Sequence, residues 1–389
     1  MPPSIVLLTQ VFPPAVGGSG VLLDNVYRRL TDIDVTVVVD RETCRVDSSV
    51  DRANLRLVPA RIDPAQWGLF DPRGWRGHVK LARLLRRLAH ERPAIVHCGR
   101  AQPEGIAAMA ARLLPGGPKF VFWAHGEEIT TANSSGQFKS ARRGVYRRAA
   151  GAIANCHHTA RMVANEGVNP EKIAVVYPGV DSARFRPIPG GGPLRQKLAP
   201  GGELLLLTVG RLQTRKGHDL VLRALGQINQ AGPSVRYIIV GNGVERERLE
   251  QMTRDLGLGG VVHFAGEVPE ADLSSYFAAC DVFVMPNRVD GPDFEGFGIV
   301  FLEAAAAGLP TIGGRNGGVP EAIGDGETGM LVSGTDIDEL AETIDQYRRS
   351  PELRNRFGAA GRERVLHDFT WEAASLRLRT FHELIASEP

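Results

Sequence analysis

Cysteine is scarce. The 389 residues hold only Cys44, Cys98, Cys156 and Cys280, widely separated and with no Cys-x-x-Cys pair. That spacing excludes a disulfide framework or a thiolate zinc site and points to a reducing cytoplasm. An excess of one charge is also missing. Lys and Arg number 46 against 44 Asp and Glu, a net +2, which argues against a dedicated nucleic-acid binder while leaving room for a local basic face. No run approaches the roughly 18 apolar residues of a membrane-spanning helix. The N-terminus lacks a charged n-region and has only a very short apolar run, so it does not read as a signal peptide. No Gly-x-Gly-x-x-Gly follows the first predicted strand, which excludes the dinucleotide fingerprint. No Asp-x-Asp pair stands at a strand end. Asp290 and Asp293 come nearest, and Pro292 beside them indicates a turn, so no metal is expected.

What is present is a chain of ordinary globular composition, 43% hydrophobic and 23% charged, too long for one ordinary core. Short apolar runs alternate with helical patterns. Strands are predicted at Ile5–Thr9, Val35–Val39, Leu55–Val58, Ile95–His97, Phe120–Trp123, Ala152–Asn155 and Ile173–Val176. Helices are predicted at Val21–Leu30, Val79–His90 and Pro103–Leu113. A Pro/Gly run, Pro187-Ile188-Pro189-Gly190-Gly191-Gly192-Pro193, reads as a linker. The pattern then repeats, with strands at Leu204–Val209, Tyr237–Val240, Val261–Phe264, Val282–Met285 and Thr311–Ile312. Such alternation implies parallel sheets with ligands at the carboxyl ends of the strands. The expected architecture is α/β, two Rossmann-like domains facing across a cleft, with the boundary near residue 190.

The most informative stretch is Gly291–Pro310. Glu295 and Glu303 stand eight positions apart, separated by Gly296, Phe297, Gly298 and an apolar run from Ile299. A glycine-rich loop feeding the N-terminus of a short buried helix would present free N–H groups to an anion. A buried Glu needs a partner, and ligand hydroxyls or a structural Arg would each serve. Gly210, Arg211 and Lys216 lie on a strand-to-helix loop, where two cations suit a diphosphate. In the first half, Gly17, Gly18 and Gly20 shape the first turn, either for a ligand's approach or as a tight turn only. His125, followed by Gly126 and two acids, ends a predicted strand; His97 is a weaker candidate. Residues 129–165 carry Lys139, Arg142, Arg143, Arg147, Arg148 and Arg161 with no acid. The earlier helix carries Lys80, Arg83, Arg86 and Arg87. Both are solvated faces or faces for an anionic membrane surface, which would place the protein on the inner face of the membrane as a peripheral protein.

Taken in order, these motifs resemble the retaining glycosyltransferases of family 4, of GT-B fold. The resemblance spans nearly the whole chain and rests on Glu295-x7-Glu303 with Gly296-Phe297-Gly298, Gly210-Arg211-Leu212 with Lys216-Gly217, Phe12-Pro13-Pro14 with Gly17-Gly18, His125-Gly126, and Asn316-Gly317-Gly318-Val319-Pro320-Glu321. It implies an acceptor domain at 1–188, a nucleotide-sugar domain at 189–368 and a C-terminal helix, 369–389, returning to the first domain. It also implies roles. Arg211 and Lys216 hold the donor's diphosphate, Glu303 the ribose hydroxyls, and Glu295 the transferred sugar with the N–H groups of Phe297 and Gly298. Gly17 and Gly18 border the diphosphate, His125 the reacting sugar, and Gly241, Asn242 and Val268 the base; Gly210 and Ile299 complete the donor list. The implied reaction is metal-independent hexosyl transfer from a nucleotide sugar to a glycan, lipid-linked or small-molecule acceptor. Likeness to the phosphatidylinositol mannosyltransferase branch favours GDP-mannose over UDP-hexoses. The alternatives are an inactive nucleotide-sugar-binding scaffold and another GT-B enzyme such as an epimerase. A retaining glycosidase, whose two carboxylates flank the scissile bond, is rejected because Arg211, Lys216 and the helix terminus require an anionic donor.

Overall fold

The computed structural model describes residues 3–13, 17–41, 54–62, 72–131, 136–229 and 234–388. Its contacts divide the chain into two units, Met1–Gly179 with Trp371–Pro389, and Val180–Thr370.

The first unit is built on a parallel sheet of order β3-β2-β1-β4-β5-β6-β7. Its strands are β1 (Ser4–Thr9), β2 (Val35–Asp40), β3 (Leu55–Ala60), β4 (Ala94–Cys98), β5 (Phe120–Ala124), β6 (Gly151–Ala154) and β7 (Ile173–Val175). Successive side chains of a strand point to opposite faces, and in β1 both faces are covered. Val6 and Leu8 pack in one apolar layer with Leu81, Leu85 and Leu88 of helix Pro72–Glu91 and with Ile106 of helix Glu104–Arg112. Ile5 and Leu7 pack in the other, with Leu22 and Val26 of helix Gly18–Tyr27 and with Trp371, Leu378, Phe381 and Ile385 of helix Trp371–Ser387. Burial on both faces is why these strands read as continuous apolar runs.

The C-terminal helix is tied to this unit by polar contacts too. Ser375 Oγ donates to Val26 O at 3.1 Å. A buried chain runs from Trp123 Nε1 to Tyr27 Oη (2.9 Å), to His97 Nδ1 (2.7 Å), from His97 Nε2 to His382 Nδ1 (3.1 Å), and from His382 Nε2 to Pro3 O (2.8 Å). Burial lowers the pKa of both imidazoles, and with both neutral the donating indole and the accepting Pro3 carbonyl set the order of protons along the chain. His97 is therefore a core residue of this unit and not a ligand contact.

The second unit carries a parallel sheet of order β10-β9-β8-β11-β12-β13. The strands are β8 (Leu204–Val209), β9 (Val235–Val240), β10 (Val262–Gly266), β11 (Val282–Met285), β12 (Thr311–Gly314) and β13 (Gly329–Val332). The sequence reading passed over β13, a four-residue edge strand whose apolar run, Met330-Leu331-Val332, is only three residues long.

The division falls between Gly179 and Val180, ahead of the Pro/Gly run and of the expected boundary at 188. The intervening residues belong to the second unit by contact. Val180 N–H donates to Phe369 O at 3.0 Å, Arg184 pairs with Glu270 at 2.6 Å, and Phe185 meets Phe277 edge-on with centroids 5.3 Å apart. Proline and glycine mark where regular structure stops, not where contacts stop.

The basic stretch also needs a correction. Arg142 is 1% exposed, donates to Ile129 O at 2.7 Å and pairs with Glu166 at 3.1 Å. It is an internal cation of the first unit, whereas Arg143, Arg147, Arg148 and Arg161 are exposed.

Candidate functional site

In the second sheet the strand order reverses between β8 and β11. The loops leaving two such neighbours diverge and leave a crevice at their carboxyl ends. The loop after β8 runs through Gly210 and Arg211 into a 3-10 turn, Thr214–Lys216, and then helix His218–Ile228. Gly217 joins turn to helix at φ 74°, and a Cβ there would lie 2.3 Å from Pro286 O. Only glycine lets the turn press against the β11 loop this closely. The loop after β11 ends at Gly298, φ 84°, which begins helix Ile299–Ala306; a Cβ there would lie 2.7 Å from the Phe301 ring.

These two loops bring together residues about 80 positions apart. Glu295 Oε2 accepts from Arg215 Nη1 at 2.7 Å, Lys216 Nζ at 2.5 Å and Asn287 Nδ2 at 3.2 Å. Arg215 Nε lies 2.9 Å from Asp293 Oδ2. Glu295, Arg215 and Lys216 are buried. Burial acts to raise the Glu295 pKa, but Lys216 and Arg215 overcome it and hold the carboxyl below its ordinary range. Burial also lowers Lys216; Glu295 opposes this, while Arg215 and Arg211 add to it. One carboxylate thus faces two buried cations with a third nearby. With Asp293 also paired to Arg215, the two buried cations are balanced by two carboxylates, and the positive charge left over is that of Arg211, which suits an incoming anion.

Arg211 is exposed. Glu303 is half-buried on the helix after Gly298, and burial pushes its carboxyl up to about 7, with Arg184 opposing and Glu270 reinforcing. Phe297 is buried against Phe369, centroids 6.0 Å apart. Ile299 opens the helix. The β8 and β9 loops are stitched together: Gly210 N–H donates to Val240 O and Leu212 N–H to Asn242 O, both at 2.9 Å, and Gly241 N–H donates to Gly266 O at 2.7 Å. Val268 follows β10 and, with Pro269, Leu194, Lys197 and Tyr276, lines a cavity of about 530 Å³.

In the first unit Gly17 and Gly18 stand at the start of helix Gly18–Tyr27; residues 14–16 of that loop lie outside the described residues. His125 follows β5. Its N–H donates to Glu128 Oε1 at 2.6 Å, its Nε2–H to Gly99 O at 3.0 Å, and its ring stacks on Trp123 with centroids 6.0 Å apart. Gln10 N–H donates to buried Glu104 Oε1 at 3.0 Å, joining the loops after β1 and β4 at the order reversal of the first sheet.

Sequence reasoning missed Arg215 and Asn287, and read Asp293 only as part of a turn. Arg215 adjoins Lys216, and a second cation in the loop was a readable signal. Asn287 had none, being an ordinary polar residue after a strand.

Residues 194–364 match the family model described as Glycosyl transferases group 1, and residues 16–184 that described as Glycosyltransferase Family 4. A Mycobacterium tuberculosis protein, GDP-mannose-dependent alpha-(1-6)-phosphatidylinositol monomannoside mannosyltransferase, is 32% identical over 387 residues, 97% of each chain. A protein of the same name from Mycolicibacterium smegmatis is 38% identical over 204 residues, which is 52% of this chain and 53% of that protein. Among solved structures, Anabaena Alr3699/HepE in complex with UDP superposes with TM-score 0.80 at 21% identity, covering 97% of this chain and 98% of that one. That likeness concerns the fold.

Proposed function

This chain belongs to glycosyltransferase family 4, with the GT-B fold, and we propose that it transfers mannose from GDP-mannose to a lipid-linked glycan acceptor, with retention and without a metal ion. The observation that carries the donor site is the cation cluster at the β8/β11 reversal, where Glu295 and Asp293 balance Lys216 and Arg215 and exposed Arg211 nearby adds an unbalanced positive charge. A sugar diphosphate supplies the missing negative charge. Arg211 and Lys216 bind its phosphates and stabilise the nucleoside diphosphate as it leaves. Glu303, held near neutrality without a ligand, accepts the ribose hydroxyls as a carboxylate. Glu295 directs the oxygen not used by the cations toward the sugar. His125, on the first unit, keeps the sugar-facing role that the family resemblance gives it.

Retention by a front-face path breaks the anomeric C–O bond to the diphosphate and forms the bond to the acceptor oxygen on the same face. The acceptor's proton passes to a departing phosphate oxygen, so no separate protein base is needed. The choice of GDP-mannose and of a phosphatidylinositol mannoside-like acceptor leans on the names of the relatives. The test is a donor screen with GDP-mannose and UDP-glucose in EDTA, followed by NMR of the product's anomeric centre. Preference for UDP-glucose, loss of transfer in EDTA restored by Mg²⁺, or an inverted product would each refute the corresponding part.

A second proposal concerns where the protein works. Helix Pro72–Glu91 buries Leu81, Leu85 and Leu88 and exposes Lys80, Arg83, Arg86 and Arg87, with Trp75 59% exposed at its start. A basic face with an exposed Trp suits peripheral binding to an anionic bilayer. Among the described residues no helix is long and apolar enough to cross a membrane. Flotation with vesicles containing phosphatidylinositol, and no flotation with purely zwitterionic ones, is the expected result; equal behaviour with both would refute it.

A further inference from the structure

Lys216 faces two claims on its ammonium. Its Nζ lies on Glu295 Oε2, whereas the proposed donor site needs it on a phosphate. Were Lys216 the only cation on Glu295, its departure would strand a buried carboxylate, which would then take up a proton. Arg215 occupies the same oxygen at 2.7 Å. Its anchors are independent of Lys216: Nε lies 2.9 Å from Asp293 Oδ2, and its carbonyl accepts from Arg288 N–H at 2.9 Å. A guanidinium offers several N–H groups in a rigid fork and can serve two carboxylates at once, whereas an ammonium on a flexible stem is easily redirected. Asn287 Nδ2, at 3.2 Å, adds a neutral third donor. All three donors converge on Oε2, and Oε1 takes none of them.

We propose that Arg215 is the positioning residue for Glu295, keeping its carboxylate ionised and fixed when Lys216 moves to the donor's diphosphate. Lys216 is the mobile cation and Arg215 the stationary one. After the exchange, Oε2 stays on Arg215 and Asn287, and Oε1 faces the transferred sugar. This rests on the assignment of Lys216 to the diphosphate, and it adds a role for a residue that touches neither phosphate nor sugar.

Arg215→Gln and Arg215→Lys are compared with Lys216→Ala, using GDP affinity by calorimetry and the rate of GDP-mannose hydrolysis from pH 5 to 9. Truncating one partner of a buried charge pair typically costs a large factor, so Arg215→Gln is expected to slow kcat about 100-fold. GDP affinity is expected to stay within about threefold, because the diphosphate does not touch Arg215. The acid limb of kcat is expected to move to higher pH, since Glu295 then ionises less readily, and Arg215→Lys to recover part of both rate and limb. A packing role would leave the limb where it is. Equal losses in GDP affinity and rate, an unmoved acid limb, or a rate within about threefold of the unmodified protein would each overturn the proposal. If Arg215→Gln does not fold, the limb of Arg215→Lys decides, because a lysine that cannot hold both carboxylates still shifts it. Lys216→Ala with undiminished GDP affinity would instead remove the donor-site assignment itself.

Discussion

Glu303→Gln tests the ribose assignment and can be worked out in numbers. The Glu303 carboxyl rises from 4.5 to about 7, chiefly through burial, with Arg184 lowering it and Glu270 raising it further. Its folded pKa lies above its unfolded one, so its contribution to stability is fully present below pH 4.5 and is lost as pH rises through 7. At 1.36 kcal/mol per unit, the loss is about 3 kcal/mol by pH 8. Gln does not titrate. Glu303→Gln should therefore match the unmodified protein near pH 4.5 and exceed it by up to about 3 kcal/mol at pH 8 in denaturant unfolding. Ligand binding should run the opposite way. If ribose hydroxyls donate to the ionised carboxylate, GDP-mannose affinity rises with pH until Glu303 is ionised. With a pKa of about 7, only about one molecule in 30 is ionised at pH 5.5, so affinity should rise about 30-fold by pH 8. The donor's diphosphate diester does not titrate in this window. Calorimetry at the two pH values measures the rise, and Glu303→Gln should bind weakly at both. Flat affinity in the unmodified protein, or a pH rise that survives in Glu303→Gln, would refute the assignment.

Three further outcomes are expected from the same physical reasoning. Gly298→Ala places a Cβ 2.7 Å from the Phe301 ring at φ 84° and should destabilise the second unit by about 1–3 kcal/mol; an unchanged unfolding midpoint would contradict it. Arg142→Ala leaves Glu166 without its buried cation and should cost the first unit about 3–5 kcal/mol, read by thermal unfolding. Burial lowers the pKa of His97 and of His382, with His382 adding to the effect on His97 and Pro3 O partly opposing it on His382. Their contribution to stability is present above the ordinary 6.5 and is lost as pH falls below it. The first unit's melting temperature should therefore drop on acidification below 6.5, and less steeply in His382→Gln; parallel slopes would contradict this.

Much of the fold was legible because parallel strands covered on both faces write themselves as apolar runs. Leu204–Val209 and Val282–Met285 need no tertiary information to be read as strands. Where a segment's fate depended on its neighbours, the sequence was silent. Strand β13 is four residues of which only Val332 is strongly β-forming, and it exists because it can pair with β12 through Gly313↔Leu331. Residues 180–188 looked like the approach to a linker, yet Arg184 and Phe185 are held by the second unit. Arg142 read as one of a row of surface cations, and helical position alone could not reveal that its guanidinium turns inward toward Glu166.

The site shows the same limit at higher resolution. Motif spacing selected Arg211, Lys216, Glu295 and Glu303 as separate groups, each with its own ligand atom. It could not show that Lys216 and Glu295 pair with each other, because the two loops meet only through the reversal of strand order between β8 and β11. Nor could it choose between Arg215 and Lys216, adjacent cations in one turn. The left-handed Gly217 and its contact with Pro286 set that turn against the β11 loop, so that both cations point to one carboxylate. Two cations on one oxygen is an arrangement with a consequence. With Lys216 as its only cation, Glu295 would take up a proton once Lys216 turned to a phosphate. With Arg215 in place, moving Lys216 costs Glu295 one of three donors and leaves a cation, shared with Asp293, on its oxygen. If Lys216 passes to the donor's diphosphate as proposed, the extra arginine is what keeps Glu295 ionised and in place through the exchange.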